Sequence, residues 1–418
     1  MRENALLVTV DFGSANGISD PAAASRELEE LCVSAGLAVA DSLLFRQKEP
    51  SSALLLGKGK AEKVRERAKE KKADVVIFHS SLSSSQQRNL EEIVDRKTID
   101  RTQLILDIFA SRAKSTEGKL QVELAQLRYL LPRLTGKGIY LSRLGGGVGT
   151  RGPGEQKLEV DRRRIRQRIT KLSRELQALQ KRRLASLDRK KEKEFPLLAF
   201  VGYTNAGKSS LFNALTRSSL FVKDQLFSTL DTTTRLLALP GSQKALLVDT
   251  VGFLRDLPHH LIESFKATLE EVVYADILLH VIDASRPDKE ALEAAVREVL
   301  SDLGAQGKKT LLLLNKVDLL AEGERQAIGE NLRWNDGVFV SALTGEGLDK
   351  LLSRLAQLLG ASRRRREFFI PKERLKLAGI LYDEAEVLER QDEEDGSYFT
   401  VNISERFEEA FTLKLSKP

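Results

Sequence analysis

The stretch Gly202-Tyr203-Thr204-Asn205-Ala206-Gly207-Lys208-Ser209 decides the reading of this chain. It fits G-x-x-x-x-G-K-[ST], the loop by which many nucleotide hydrolases hold phosphate. Before it, Pro196-Leu197-Leu198-Ala199-Phe200-Val201 predicts a buried strand. After it, Ser210-Leu211-Phe212-Asn213-Ala214-Leu215 predicts the start of a helix. Glycines let backbone N–H groups turn inward around an anion. Lys208 then reaches toward the β- and γ-phosphates, and Ser209 toward Mg²⁺. A plain glycine turn is the alternative, and the strand–loop–helix setting weighs against it.

Working outward, the next motif concerns the base. Asn315-Lys316-Val317-Asp318 follows the apolar run Thr310-Leu311-Leu312-Leu313-Leu314. A carboxylate there can accept hydrogen bonds from the N1–H and 2-amino group of guanine, a donor pair that adenine lacks. Such a site discriminates strongly, because the wrong base leaves buried polar groups unpaired. Asp318 is the candidate specificity residue. Asn315 would hold the loop and the base edge, and the stem of Lys316 would cover the base face. Ser341-Ala342-Leu343 follows Val338-Phe339-Val340, which places the Ala342 N–H as a donor for the guanine O6.

Two segments lie between these motifs. Asp249-Thr250-Val251-Gly252 ends the run Ala245-Leu246-Leu247-Val248. Its Asp would face Mg²⁺ and its Gly252 N–H the γ-phosphate. The other segment is Phe227-Ser228-Thr229-Leu230-Asp231-Thr232-Thr233-Thr234. One threonine here would close over Mg²⁺ when GTP is bound. Thr229 is the candidate, and spacing leaves Thr232, Thr233 and Thr234 open as rivals. Lys208, Thr229 and Gly252 make up the candidate catalytic set.

The order of these motifs is that of a guanine-nucleotide switch, and this part resembles the translation-factor-related GTPases. Small signalling GTPases carry a glutamine after D-x-x-G, which orients the attacking water. This chain has Phe253, which cannot hydrogen-bond water, so slow intrinsic hydrolysis is expected. The resemblance also implies a use for Asn205. In some related GTPases an asparagine at this position helps to bind K⁺, which supplies charge as an arginine finger would. The alternative is that Asn205 only braces the loop.

With 418 residues, 41% of them hydrophobic and 30% charged, the chain has room for two to four globular domains. A single cysteine, Cys32, excludes an intrachain disulfide or a cysteine zinc site, and suits a reducing cytoplasm. The four histidines are too scattered for a metal centre, and His280 reads as a core residue. The apolar run at residues 5–10 is too short for a signal peptide. No apolar stretch approaches the length of a membrane span.

The net charge of +7 is concentrated. Residues 157–194 hold 15 Lys+Arg against 6 Asp+Glu, whereas the rest of the chain holds 52 against 54. That is the footprint of a polyanion contact, or else a solvated helix face. The same segment carries an apolar stripe at Leu158, Ile165, Leu172 and Leu179, with Ile169 and Leu176 between. Upstream, Leu120, Leu124, Leu127, Leu131 and Leu134 repeat the spacing. Two such stripes predict an antiparallel helical hairpin, with Pro132 ending or bending the first helix. The loop between them, residues 136–154, contains eight glycines with Arg143 and Arg151. Loops of this length are usually functional or disordered. Arg143 and Arg151 in the loop, with Arg162, Arg163 and Arg164 on the helix, are candidate RNA contacts.

Residues 107–113 (DIFASRA), 117–127 (EGKLQVELAQL), 142–155 and 249–258 (DTVGFLRDLP) closely resemble the HflX family of ribosome-associated GTPases. The likeness runs across nearly the whole chain, and Phe253 agrees with the apolar residue that this family has there. It implies binding to the large ribosomal subunit, a hairpin loop reaching toward the peptidyl-transferase region, and dissociation of stalled ribosomes under stress. Two rivals remain at this point: a ribosome-assembly GTPase acting on immature large subunits, and an ATP-dependent RNA remodeller driven by the N-terminal domain. The second rests on Gly57-Lys58-Gly59-Lys60, a helix start that could bind phosphate but lacks the full loop spacing.

The expected architecture is multidomain α/β. It comprises an N-terminal α/β domain (1–113), a helical hairpin (114–194), a GTPase domain with a mainly parallel sheet (195–361) and a small C-terminal α/β domain (362–418). The expected state is a monomer in the cytoplasm, with Arg363-Arg364-Arg365-Arg366 as a linker or an rRNA contact.

Overall fold

The computed structural model describes residues 2–13, 20–134, 153–192, 195–216, 226–227, 232–241, 243–255, 269, 271–360 and 363–416. Arg143, Arg151, Ser228, Thr229, Leu230 and Asp231 lie outside the described residues. The chain divides into two compact units. One contains residues 1–181 together with 223–231 and 254–268; the other contains the remainder.

In the first unit, β1 (Asn4–Asp11), β2 (Ala38–Arg46), β3 (Val75–Phe78) and β4 (Lys97–Asp100) form a parallel sheet in the order β2-β1-β3-β4. The connections are α1 (Pro21–Ser34), α2 (Lys58–Glu70) and α3 (Ser84–Val94), and α4 (Arg101–Arg112) follows β4. Local capping sets the helix starts. Asp20 accepts from the Ala22 and Ala23 N–H groups, and Ser83 and Gln86 form a reciprocal capping box. Leu6, Val8, Val64, Val76, Phe78 and Leu90 share a buried cluster. Cys32 is fully buried, and burial pushes its thiol up to about 12, so it acts as a small hydrophobe.

The hairpin stripes do meet. α5 (Thr116–Leu130) runs into a 3-10 turn at Leu131–Leu134, where Pro132 sits. α6 (Pro153–Glu192) is 40 residues long. Leu124, Leu172 and Leu176 form one apolar cluster, flanked by Leu120, Leu127 and Ile169. Arg168 clamps Glu123 with two bonds of 2.7 and 2.8 Å. The end of α5 is tied to the parallel sheet by Asp100, a fully buried carboxylate. It accepts from the Leu82 N–H (3.0 Å), the Gln103 N–H (2.9 Å), the Tyr129 hydroxyl (2.9 Å) and Arg133 (3.1 Å).

In the second unit a six-stranded sheet runs β10-β9-β8-β5-β7-β6. Its strands are β5 (Leu197–Gly202), β6 (Thr233–Leu239), β7 (Gln243–Asp249), β8 (Ile277–Asp283), β9 (Lys309–Asn315) and β10 (Val338–Phe339). All pairs are parallel except β6 with β7. The helices of this layer are α7 (Lys208–Thr216), α8 (Lys289–Asp302), α9 (Glu322–Glu330) and α10 (Leu348–Gly360). β5 and β8 are buried throughout, as the near-continuous apolar runs of a covered parallel sheet require.

The chain ends in an antiparallel sheet, β11 (Arg363–Pro371), β12 (Glu386–Asp392) and β13 (Gly396–Ser404), ordered β11-β13-β12. α11 (Ala378–Glu384) and α12 (Glu405–Ser416) accompany it. Phe411 of α12 packs edge-on against Phe368, with ring centroids 5.0 Å apart. The four arginines 363–366 are therefore not a linker: they open β11, paired in register with residues 401–404 of β13. Ladder hydrogen bonds fix their backbone, while Arg364, Arg365 and Arg366 keep exposed side chains.

Candidate functional site: a guanine-nucleotide pocket

The parallel sheet delivers its loops to one end. β5 ends at Gly202, β7 at Asp249, β8 at Asp283 and β9 at Asn315, and the candidate motifs follow from these ends. Ligands of open α/β sheets bind outside the carboxyl ends of the strands.

The phosphate loop has the backbone that its glycines predict. Gly207 has φ +95°, and a Cβ there would lie 2.1 Å from the Asn315 side-chain nitrogen. Gly202 has φ +149°, and a Cβ would strike the Val281 carbonyl at 2.3 Å. Asn205 adopts φ +63°, a left-handed conformation that Asn accepts more readily than most side chains. Tyr203, Thr204, Ala206, Lys208 and Ser209 are buried. The Lys208 ammonium donates to the Gly202 carbonyl (3.0 Å) and the Tyr203 carbonyl (2.8 Å). Burial lowers its pKa to about 8, against the opposing pull of Asp249.

Ser209 Oγ donates to Asp249 Oδ2 at 2.6 Å, with both residues buried. A hydroxyl and a carboxylate brought together at a phosphate loop are oxygen donors of the kind that Mg²⁺ uses. The donor set therefore fits the metal, with the third candidate, Thr229, outside the described residues. Thr250 donates to the Phe200 carbonyl at 2.5 Å and fixes the strand end. Val251 is buried, and Gly252 passes so close that a Cβ would lie 2.8 Å from Thr204 and 2.9 Å from the Lys208 ammonium.

The base end is a closed hydrogen-bond network. Asn315 donates to the Ala206 carbonyl (2.8 Å) and accepts from the Ala342 N–H (3.1 Å). One side chain thus holds the phosphate loop and the Ser341 segment together. The Ala342 N–H, expected to meet the base, is directed at Asn315. Ser341 Oγ donates to Asp318 Oδ1 at 2.6 Å, which orients a carboxylate on an otherwise exposed residue. Lys316 sits at φ +63° and its ammonium pairs with Asp283 at 2.8 Å. Val317 is buried and its carbonyl takes Arg325, which also pairs with Glu346. Leu343 is exposed.

The sequence reading missed Asp283, Arg325 and Glu346. Asp283 had a signal, as the first acid after the apolar run of β8; the other two are recognisable only once their loops meet. Phe253 is also more than an absence of glutamine. It is 2% exposed, it forms a parallel bridge with Tyr203, and its carbonyl accepts from the Thr204 N–H at 2.9 Å. Its ring is buried, and its backbone is bonded to the phosphate loop on both sides, since the Phe253 N–H also donates to the Gly202 carbonyl at 3.1 Å. His280 is buried as expected, with its pKa lowered to about 4 by burial, so it is neutral. Among the described residues no His/Cys/Asp/Glu cluster suited to a metal is present.

Leu226, Phe227 and Arg255, near the candidate motifs in sequence, belong to the first unit. The Leu226 N–H donates to Ser34 Oγ at 2.9 Å, and Phe227 stands edge-on to Phe109 at 4.5 Å. Arg101, paired with Glu27, donates to the Arg255 carbonyl at 2.8 Å. At the other suggested phosphate site, Gly57-Lys58-Gly59-Lys60, the protein satisfies itself. Gln47 accepts from the Gly57 N–H (3.2 Å), and Lys60 donates to the Arg46 carbonyl (2.6 Å).

Comparison with known proteins agrees with this geometry. Residues 22–110 match the family model described as GTP-binding GTPase N-terminal, and residues 112–190 the GTP-binding GTPase middle region. Residues 197–316 match the model described as 50S ribosome-binding GTPase, and residues 330–417 the HflX C-terminal domain. GTPase HflX of Caldanaerobacter subterraneus subsp. tengcongensis is 47% identical over 384 residues, covering 91% of this chain and 88% of that protein. This chain belongs to the HflX family. It is a P-loop GTPase, a GTP hydrolase with a multidomain α/β fold. GTPase HflX of Escherichia coli K12 is 40% identical over 395 residues, covering 94% of this chain and 92% of the relative. A GTP-binding protein from the archaeon Sulfolobus solfataricus, solved with GDP, is 25% identical. It covers 86% of this chain and 98% of its own, with a TM-score of 0.45. Among the described residues no helix is long and apolar enough to cross a membrane.

Proposed function

We propose that this HflX-family GTPase binds the large ribosomal subunit and separates the subunits of stalled or stressed ribosomes, acting as a cytoplasmic monomer. The observation that carries the ribosomal reading is α6. Its apolar stripe is engaged with α5 at Leu172 and Leu176, which leaves Arg163, Arg164 and Arg166 exposed and Arg162 half-buried. A long helix that packs on α5 at its middle and keeps these cations in solvent suits the phosphate backbone of rRNA. Arg143 and Arg151 would extend that contact at the loop.

In the nucleotide pocket, Asp318 and Asn315 select guanine, and the loop 202–209 holds the phosphates. Ser209, Thr229 and Asp249 would hold Mg²⁺, which neutralises charge on the phosphate oxygens when bound. Lys208 exchanges its two carbonyl partners for phosphate oxygens. Gly252 offers its N–H to the γ-phosphate. Phe253 orients no water, so the ribosome, or K⁺ held with the help of Asn205, completes the site.

The test is GTP hydrolysis with and without purified large subunits, in K⁺ and in Na⁺, together with sedimentation of intact ribosomes. Strong stimulation by subunits and GTP-dependent splitting are expected. Stimulation by immature subunits alone, without splitting, would move the function to subunit assembly. No stimulation in either salt would sink the ribosomal mechanism.

A further inference from the structure

β9 is only half covered on its outer side. Among the described residues β10 pairs with it at Leu313 and Leu314 alone, and no other strand pairs with residues 309–312 on that side. An edge presents backbone donors and acceptors that proteins normally blunt with lysine, proline or a covering element. Lys309 stands on this edge, but its ammonium is drawn back to the Leu358 carbonyl of α10 at 3.1 Å.

A cavity of 570 Å³ lies along the same edge, within the second unit and apart from every nucleotide residue. Its lining is amphipathic. Leu300, Leu311 and Leu358 supply apolar surface, and Leu332 is 87% exposed beside them. Among the described residues Arg297, Lys309, Arg333 and Arg354 contribute four cations against one lining acid, Asp336. Behind Arg297 and Arg333 stands Glu293, 1% exposed, which pairs with both. Counting Glu293 with Asp336 still leaves an excess of two positive charges. Arg354 is exposed and makes no ion pair among the described residues. His280 also lines the cavity and is neutral, so the positive balance holds through the physiological pH range.

We infer that this edge docks an extended acidic peptide of a partner protein, added as a strand beside residues 309–312 with its carboxylates on Arg297, Arg333 and Arg354. The open edge favours a peptide over a small anion. Arginines alone would serve a phosphate, whereas an unpaired strand edge beside leucines serves main-chain bonds and alternating side chains. Charge complementarity then sets the sign of the partner.

The full chain is titrated with a fluorescein-labelled octapeptide alternating glutamate and valine, read by anisotropy. Two controls replace glutamate by lysine, or place proline at alternate positions. The glutamate peptide saturates, and both controls bind at least about tenfold more weakly. Arg354→Glu weakens it about fivefold, with GTP affinity unchanged, because the residue is exposed and remote from the nucleotide. Amide exchange at Thr310 and Leu312 slows on binding. Equal binding of the proline peptide overturns the strand mode. Displacement by tripolyphosphate without slower exchange at Thr310 overturns the peptide in favour of a small anion. No saturable binding overturns the site altogether, and none of these outcomes touches the ribosomal reading.

Discussion

The two ends of the nucleotide pocket are built differently. At the base end, Asn315, Asp318, Ser341, Ala342, Lys316 and Asp283 are held by protein–protein hydrogen bonds and one ion pair. At the phosphate end, Lys208 rests on loop carbonyls and Ser209 on Asp249, partners that a nucleotide and its metal would replace. The position of a water-orienting glutamine is a buried phenylalanine. The base end is held by the protein's own contacts, whereas the phosphate end keeps groups whose present partners a ligand would displace. This division suits a switch whose rate is set by a partner, since a site complete in itself would hydrolyse GTP before the partner arrives.

Breaking the phosphate end should have the largest effect. Lys208→Ala removes the cation proposed to face the transferring charge, and hydrolysis should fall about 10²–10³-fold. Single-turnover assays check this, and an unchanged rate would remove Lys208 from catalysis. Phe253→Gln tests the buried ring. Loss of the buried ring should cost ~3 kcal/mol in unfolding free energy by denaturant titration, with no gain in intrinsic hydrolysis. A large rate increase would mean that the chain lacks only a water-orienting side chain.

The base end should respond less, and in affinity. Asp318→Asn loses charge-assisted bonds to guanine, so GDP should bind about 10–100-fold more weakly, measured by fluorescent-nucleotide titration. Ser341→Ala frees the Asp318 carboxylate and should cost ~1 kcal/mol, about fivefold in GDP affinity. An unchanged affinity would show that Asp318 orients itself.

At and below pH 8 the smallest effect is a pH dependence. Bound phosphate raises the Lys208 pKa above its starting value of about 8. The nucleotide therefore prefers the protonated form. Affinity is full below pH 8 and falls as pH rises through it, by up to about tenfold per unit. Calorimetry in buffers of different ionisation enthalpy should show proton uptake on binding near pH 8–9. Proton release would reverse the assignment.

The elements that carry the motifs are legible in the sequence. Strand, loop and helix at 197–216 follow from an apolar run, two glycines and a helix former, all local. The pairing of α5 with α6 follows from matched leucine stripes, because helical period is local too. The edge strands β2 and β4 were not foreseen. β2 is mostly half-buried or exposed and β4 is only four residues long, so neither gives a long apolar run. The arginines 363–366 read as a linker because charge hides strand pairing, which β13 supplies from about 35 residues downstream.

Residue type and short spacing alone mark the candidates for phosphate, for Mg²⁺ and for guanine, and place a phenylalanine where a glutamine would orient water. The fold adds that Asn315 joins the Ser341 segment to the phosphate loop, that the buried Phe253 pairs its backbone with that loop, and that Leu226, Phe227 and Arg255 are bonded or packed within the first unit. Each is a contact between segments distant in sequence. It is chosen by which surfaces the folded strands bring together, and no local pattern records that choice.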